Sequence, residues 1–410
     1  MNPIERGILR SLAERQLEVS RSDKNARVIQ ARKKLNRCEL DTPLIHIEPD
    51  NFAKEIITPL MLCESEQARR LEHDLRFNLI NHDFFDDDTP VPDYFGIKLP
   101  MYFHPFGYDI SSMRDTSDLG KGRGYHIGDV IGDLRDDFEK LNETTFGVDE
   151  ASARSYQEIA ADVFGDILPV KLVGSSLKVT PTYMIVFLMG MQNMYIAMID
   201  YPDDFKRVMR LLTDDYLRFF RMLERGGFIL PTTEFEQVHM SSFAFTDELP
   251  NDTAGRTTNI WGYLNSQESV GISPGMYAEL VFPYYREIAE QFGLLSYGCC
   301  EASEAVWEQL KTLKNLRKVS VPFCSNEERM GELLRGGKIV YQRKPDSKTL
   351  GLQIALDEDF IRKHISRTLR AARGCALEIT QREVFTIHGD AGKVKRYVQI
   401  IRECIEKEWQ

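Results

Sequence analysis

The run Tyr297-Gly298-Cys299-Cys300-Glu301 puts a phenol, two thiols and a carboxylate into five consecutive positions. A regular strand alternates its side chains between two faces. On that rule Tyr297, Cys299 and Glu301 share one face, and Cys300 joins them only if the strand has ended at Gly298. A thiolate with a carboxylate can hold zinc, and a phenol or carboxyl can carry a proton. Cys299 is therefore the first candidate ligand, with Cys300 second. Tyr297 and Glu301 are the catalytic candidates, and Glu301 is also a candidate ligand. The plain alternative for either thiol is a small buried side chain, the commonest fate of a free cysteine.

Other segments could add to this set. His239 closes the run Thr232–His239, which also holds Glu234 and Glu236, so it could complete a site of cysteine, histidine and carboxylate. Arg343, Lys344 and Arg382 follow two later apolar runs and could hold a carboxylated substrate, or else lie in solvated loops. Gln267 and Glu268, inside Trp261–Ser269, suit a neutral or aromatic ligand as well as they suit helix capping. Cys324 ends its strand and stays a weak candidate; Cys375 begins one and reads as structural. The acidic run around Asp86, Asp87 and Asp88 reads as a solvated loop, with metal binding as the weaker alternative.

These residues need elements to carry them. After residue 94 short β-like runs alternate with helical ones. The strands are Val170–Ser176, Gly226–Pro231, Gly293–Cys300, Leu316–Phe323, Lys338–Tyr341 and Cys375–Thr380. Ser273-Pro274 reads as a helix cap followed by a first-turn proline. Repeated strand–helix units imply parallel strands with right-handed crossovers. No Gly-x-Gly-x-x-Gly follows an early strand, which removes the sequence support for a dinucleotide fold. The expectation is an α/β fold, a (β/α)8 TIM barrel over residues 94–410 with a helical N-terminal extension over residues 1–93. Active groups then sit at the C-terminal ends of the strands.

The chain has 410 residues, with 52 basic and 63 acidic side chains and a net charge of −11, a balance that disfavours nucleic acid as a partner. Seven cysteines, an odd and sparse count, are no disulfide framework, so a cytoplasmic location is expected. The N-terminus shows no signal peptide, and the apolar stretch Tyr183–Ile199 is interrupted by Gly190, Gln192 and Asn193. It is expected to be a buried helix and not a membrane span.

From Val170 onward the chain resembles the uroporphyrinogen decarboxylase family, which includes zinc-dependent methyltransferases that work with corrinoids. The resemblance rests on Val173-Gly-Ser-Ser176 with its apolar helix and on Tyr201-Pro-Asp203. It continues in Gln267-Glu268 leading into Ser273–Tyr284, and in the cysteine-bearing strand. It implies methyl transfer from a small methylated donor, an aryl methyl ether or methylamine, to a corrinoid supplied by a partner protein. The family's zinc-binding His-x-Cys falls on Tyr297-x-Cys299, so the cysteine carries over and the histidine does not. Glu301, Cys300, Cys324 or His239 would have to substitute. The family's later zinc cysteine falls where this chain has Gln381-Arg382-Glu383, which makes Glu383 the ligand available there. The alternative is a decarboxylase-like lyase without metal, holding a carboxylated substrate with Arg343, Lys344 or Arg382. A third reading is a partner-binding barrel without catalysis. The N-terminal helices either cover the barrel or pair with a second copy in a homodimer, and the sequence does not choose.

Overall fold

The computed structural model describes residues 1–110 and 130–409, together with the backbone pairing of Arg114–Asp115 and His126–Ile127. Seven strands form one sheet: β1 Leu44–Ile47, β2 Leu177–Val179, β3 Trp261–Leu264, β4 Leu294–Tyr297, β5 Leu316–Val321, β6 Val340–Arg343 and β7 Leu377–Gln381. Their spatial order is β1-β7-β6-β5-β4-β3-β2, and every neighbouring pair is parallel. Parallel sheets are covered on both faces, so their strands are buried on both sides, and the polar residues they carry are buried too. One set of side chains (Leu295, Tyr297, Val319, Tyr341, Leu377, Ile379) packs outward into the main hydrophobic core with the helices. Trp261, Tyr263 and Leu294 pack instead with Val238 and Ala244.

The fold is thus the expected TIM-barrel-like α/β type, with two differences. Seven strands are laddered where eight were expected, and among the described residues no ladder joins β1 to β2. Side-chain carboxylates cover that seam. The N–H of Ile45 donates to Asp88 and that of Ile47 to Asp87, each at 2.8 Å. Across the gap the N–H of Ser176, just before β2, donates to Glu236 at 3.1 Å. Asp87 and Asp88 are buried, which corrects their reading as a solvated loop. The second difference is β1 itself, which lies within the first 93 residues yet pairs with β7 in the register Ile45↔Ile379. The stretch expected as a helical extension therefore contributes an edge strand, besides α1 (Pro3–Ser20) and α2 (Asp23–Asn36). Asn2 accepts from the Glu5 N–H and Ser22 from the Asn25 N–H, capping the two helices at their N-termini.

Gly226–Pro231 is a turn and an irregular segment, not a strand. It leads to a two-residue hairpin, Gln237–Val238 paired with Ser242–Phe243. This hairpin is tied to the sheet interior through buried charge. Glu378 of β7 pairs with Arg32 of α2 at 3.1 Å and with Lys318 of β5 at 3.7 Å, all three at most 1% exposed. The Ser242 hydroxyl donates to Glu378, and the Lys318 ammonium donates to the Phe243 carbonyl at 2.8 Å. Burial pushes Lys318 down to about 8, with Glu378 opposing the shift.

One helix, Pro181–Asp200, is long and apolar enough to cross a membrane by length and composition, and half of it is buried. Gly190 breaks its helical backbone.

Removing the shared carboxylate leaves two buried cations facing each other. Glu378→Ala is expected to lower stability by about 3–5 kcal/mol, the usual cost of breaking a buried ion pair. Urea unfolding should show this as a lower midpoint with little change in slope, while a loss under 1 kcal/mol would mean the cluster is solvated.

Candidate metal centre

Strand β4 ends at Tyr297 because Gly298 takes φ +98°, a conformation that suits glycine. A Cβ there would also lie 3.0 Å from the Cβ of Ser320. Alternation stops at this residue, so Cys299 and Cys300 turn toward the same centre, with their Sγ atoms 3.5 Å apart. Glu383 follows β7 in a left-handed conformation, φ +58°. Both its carboxylate oxygens lie 3.6 Å from Cys300 Sγ. Ligand atoms of Cys299, Cys300 and Glu383 fall within 4.8 Å of one another, the one such group among the described residues. A tetrahedral zinc with Zn–S of about 2.3 Å separates neighbouring ligand atoms by roughly 3.5–3.8 Å. The two measured spacings lie close to that range and the Cys299–Glu383 spacing is within 4.8 Å, so the donor set has the chemistry and the reach to hold zinc.

Cys299 is buried, and its pKa falls to about 7. The Cys300 thiol donating to it is the main cause, Lys344 and Arg382 add to the shift, and burial opposes it. The same interaction pushes Cys300 far up, so the pair holds its second proton tightly. Lys344 is buried under the turn, with Nζ 3.4 Å from the Gly298 carbonyl and 3.3 Å from that of Cys299. Burial brings its ammonium down to about 8. Arg382 pairs with Glu48 at 3.1 Å and with Glu383 at 3.3 Å. These groups stand beside a cavity of about 510 Å³, lined by His239, Met240, Arg382, Glu383 and Phe385 among others.

The remaining candidates lie elsewhere. Tyr297 does not share a face with Cys299; it is buried on the helix side, bonded to Ser266 and, at 3.0 Å, to Tyr277. Burial holds its phenol well above the usual range, so it stays protonated. Glu301 is fully used by the turn, accepting from the N–H of Cys299 at 2.7 Å and of Ser266 at 3.1 Å. It shapes the centre and is not placed as a ligand. His239 lines the cavity outside the three-ligand group. Its Nε2 is 3.2 Å from the Ser176 carbonyl oxygen, and burial pushes its pKa down to about 3. Arg343 is fully buried with Glu327 at 3.0 Å, which removes it from any substrate. Glu268 is buried and accepts from Thr182 at 2.9 Å, while Gln267 opens the same short 3-10 turn. Cys324 is exposed and turned to the Cys300 carbonyl at 3.2 Å; Cys375 is buried against Gly331, as its place at a strand start implies.

Two residues at the centre went unread in the sequence. Glu48 follows β1 and holds Arg382. Met240 puts its sulfur 3.4 Å from Cys299 Sγ. Neither has a sequence signal, because a lone carboxylate or thioether in a loop has no spacing to find.

No family model and no curated protein matches the chain. Among solved structures it is similar to a methyltransferase from Methanosarcina mazei, at 12% identity and a TM-score of 0.51. The match covers 88% of this chain and 94% of that one. At such identity the likeness is one of fold.

A metal-free sample should show thiolate absorbance near 240 nm rising with a midpoint at about pH 7. Cys299→Ser should abolish that step, and Cys300→Ala should move it upward by removing the hydrogen bond. A first step at the ordinary thiol pKa of about 8.5 would show that the pair is not coupled.

Proposed function

We propose that this chain is an enzyme that transfers a methyl group from a small methylated donor, of the aryl methyl ether or methylamine type, to a corrinoid brought by a partner protein. The observation that carries this reading is the Cys299–Cys300–Glu383 donor set, whose Glu383 lines the cavity together with Met240 and Arg382, the residues in contact with Cys299. The similarity of fold to a methyltransferase supports it. Zinc bound there would act as a Lewis acid on the heteroatom that carries the methyl group, a poor leaving group without activation.

The chain's own residues do the rest. Cys299, Cys300 and Glu383 would hold the metal. Glu301 fixes the turn through two N–H bonds, so both thiols keep one orientation. Lys344 supplies positive charge beside the thiolates, which lowers the cost of keeping them ionised in a buried site, and Arg382 adds to it before a metal enters. His239, neutral at ordinary pH, lines the cavity as a polar contact for a donor.

The decarboxylase-like alternative needs free cations in the cavity. Arg343 is withdrawn to Glu327, and Arg382 is already paired with Glu48 and Glu383. That geometry favours methyl transfer.

Elemental analysis of the purified full-length chain should find about one zinc per chain, as a single site of this kind holds. Cys299→Ser and Glu383→Gln should each lose it. Methylation of reduced cobalamin by an aryl methyl ether or a methylamine should then depend on the metal. Wild-type protein that methylates cobalamin after zinc is stripped would overturn the reading.

A further inference from the structure

Met240 sits at the tip of the hairpin Gln237–Val238/Ser242–Phe243, followed by Ser241, and both residues take left-handed backbone, φ +56° and +62°. Non-glycine residues adopt that conformation rarely, and two in succession need outside support. The support comes from several sides. The Met240 carbonyl accepts from Gln342 at 2.8 Å, the Ser241 hydroxyl donates to Glu48, and the Ser242 hydroxyl donates to Glu378. The result is a thioether aimed at the thiols, with Sδ 3.4 Å from Cys299 Sγ.

A second observation shows where these donors point. One nitrogen of Arg382, Nη1, lies 2.7 Å from Met240 Sδ, 3.3 Å from a Glu383 oxygen and 3.8 Å from Cys299 Sγ. Thioether, carboxylate and thiol thus gather on a single positively charged group. Electron-pair donors from three separate loops converge in this way when they are arranged for a cation.

We propose that Met240 is the fourth ligand of the centre, giving it three sulfurs and one carboxylate oxygen, and that Arg382 is a resident cation that gives way when the metal enters. The proposal rests on the zinc reading above. Thiolate and thioether donors favour thiophilic ions such as zinc over magnesium or calcium. A thioether is also the one neutral donor of the four, and so the one a substrate heteroatom displaces most easily. Met240 would then cover the open position until the methyl donor arrives.

Zinc K-edge X-ray absorption on the full-length protein counts the sulfurs directly. The wild type should show three sulfurs and one oxygen, and Met240→Leu two sulfurs. Leucine is a nearly volume-conserving replacement for methionine. Competition with a chromophoric chelator should show zinc affinity falling about tenfold in Met240→Leu and rising in Arg382→Gln. Two sulfurs in the wild type, or identical sulfur shells in wild type and Met240→Leu, would overturn the assignment of Met240. If the two-sulfur zinc is lost in Cys299→Ser, the zinc reading survives and Met240 alone falls. Wild type that binds no zinc ends both. If Met240→Leu does not fold, the sulfur count of the wild type decides.

Discussion

Glu378 lies inside the parallel sheet, at most 1% exposed, between Arg32 and Lys318. Charges in such a place are tolerated only when paired and fully hydrogen-bonded. That need brings distant parts of the chain together. Arg32 comes from an N-terminal helix, where it also donates to the Asp88 carbonyl. Ser242 and the Phe243 carbonyl come from the hairpin and complete the coordination of Glu378 and Lys318. The hairpin cannot leave without exposing the cluster, so its tip is fixed at the C-terminal end of the sheet. The N-terminal segment is bound to the sheet for the same reason.

The seam between β1 and β2 follows similar physics. An edge strand with unpaired N–H groups inside a protein must find acceptors. Here Asp87 and Asp88 serve β1, and Glu236 serves the approach to β2. A carboxylate oxygen reaches over one N–H at a time, whereas a full strand would fill the gap. The sheet is thereby satisfied without a continuous ladder, and His239 and Lys98 can line the cavity beside it.

How far the sequence disclosed this depends on what each signal measures. Strands β4 to β7 were legible because apolar runs and intervening helical stretches recur there with turn residues between them, whereas β3 was not read. Strand β1 was not, since four residues, Leu44–Ile47, within a polar stretch carry too little period. At the centre, Cys299, Cys300 and Glu383 were among the candidates. Tyr297 was misplaced for one reason: strand alternation was carried through Gly298, where the left-handed backbone ends it. Glu301 and Arg343 were read by residue type as free functional groups. Their partners, the backbone N–H groups of Cys299 and Ser266 and the side chain of Glu327, arise from tertiary packing. Periodicity holds no record of such contacts.

The charge of the centre ties these strands of argument together. Two thiolates and a carboxylate clustered in a half-buried site would repel one another, and desolvation adds to the cost. The structure limits that cost in steps. Cys300 keeps its proton and donates it to Cys299, so one negative charge is shared by two sulfurs. Lys344 lies beneath the turn, and Arg382 faces Glu383 and Cys299 from the cavity. Arg382 is in turn shared with Glu48, so its position reflects competition between two carboxylates. An entering dication would displace the Cys300 proton and weaken the hold of Glu383 on Arg382. Glu48, whose carboxyl burial raises and Arg382 lowers, is already in contact to receive the guanidinium. The arrangement therefore has a defined place for positive charge both before and after a metal binds.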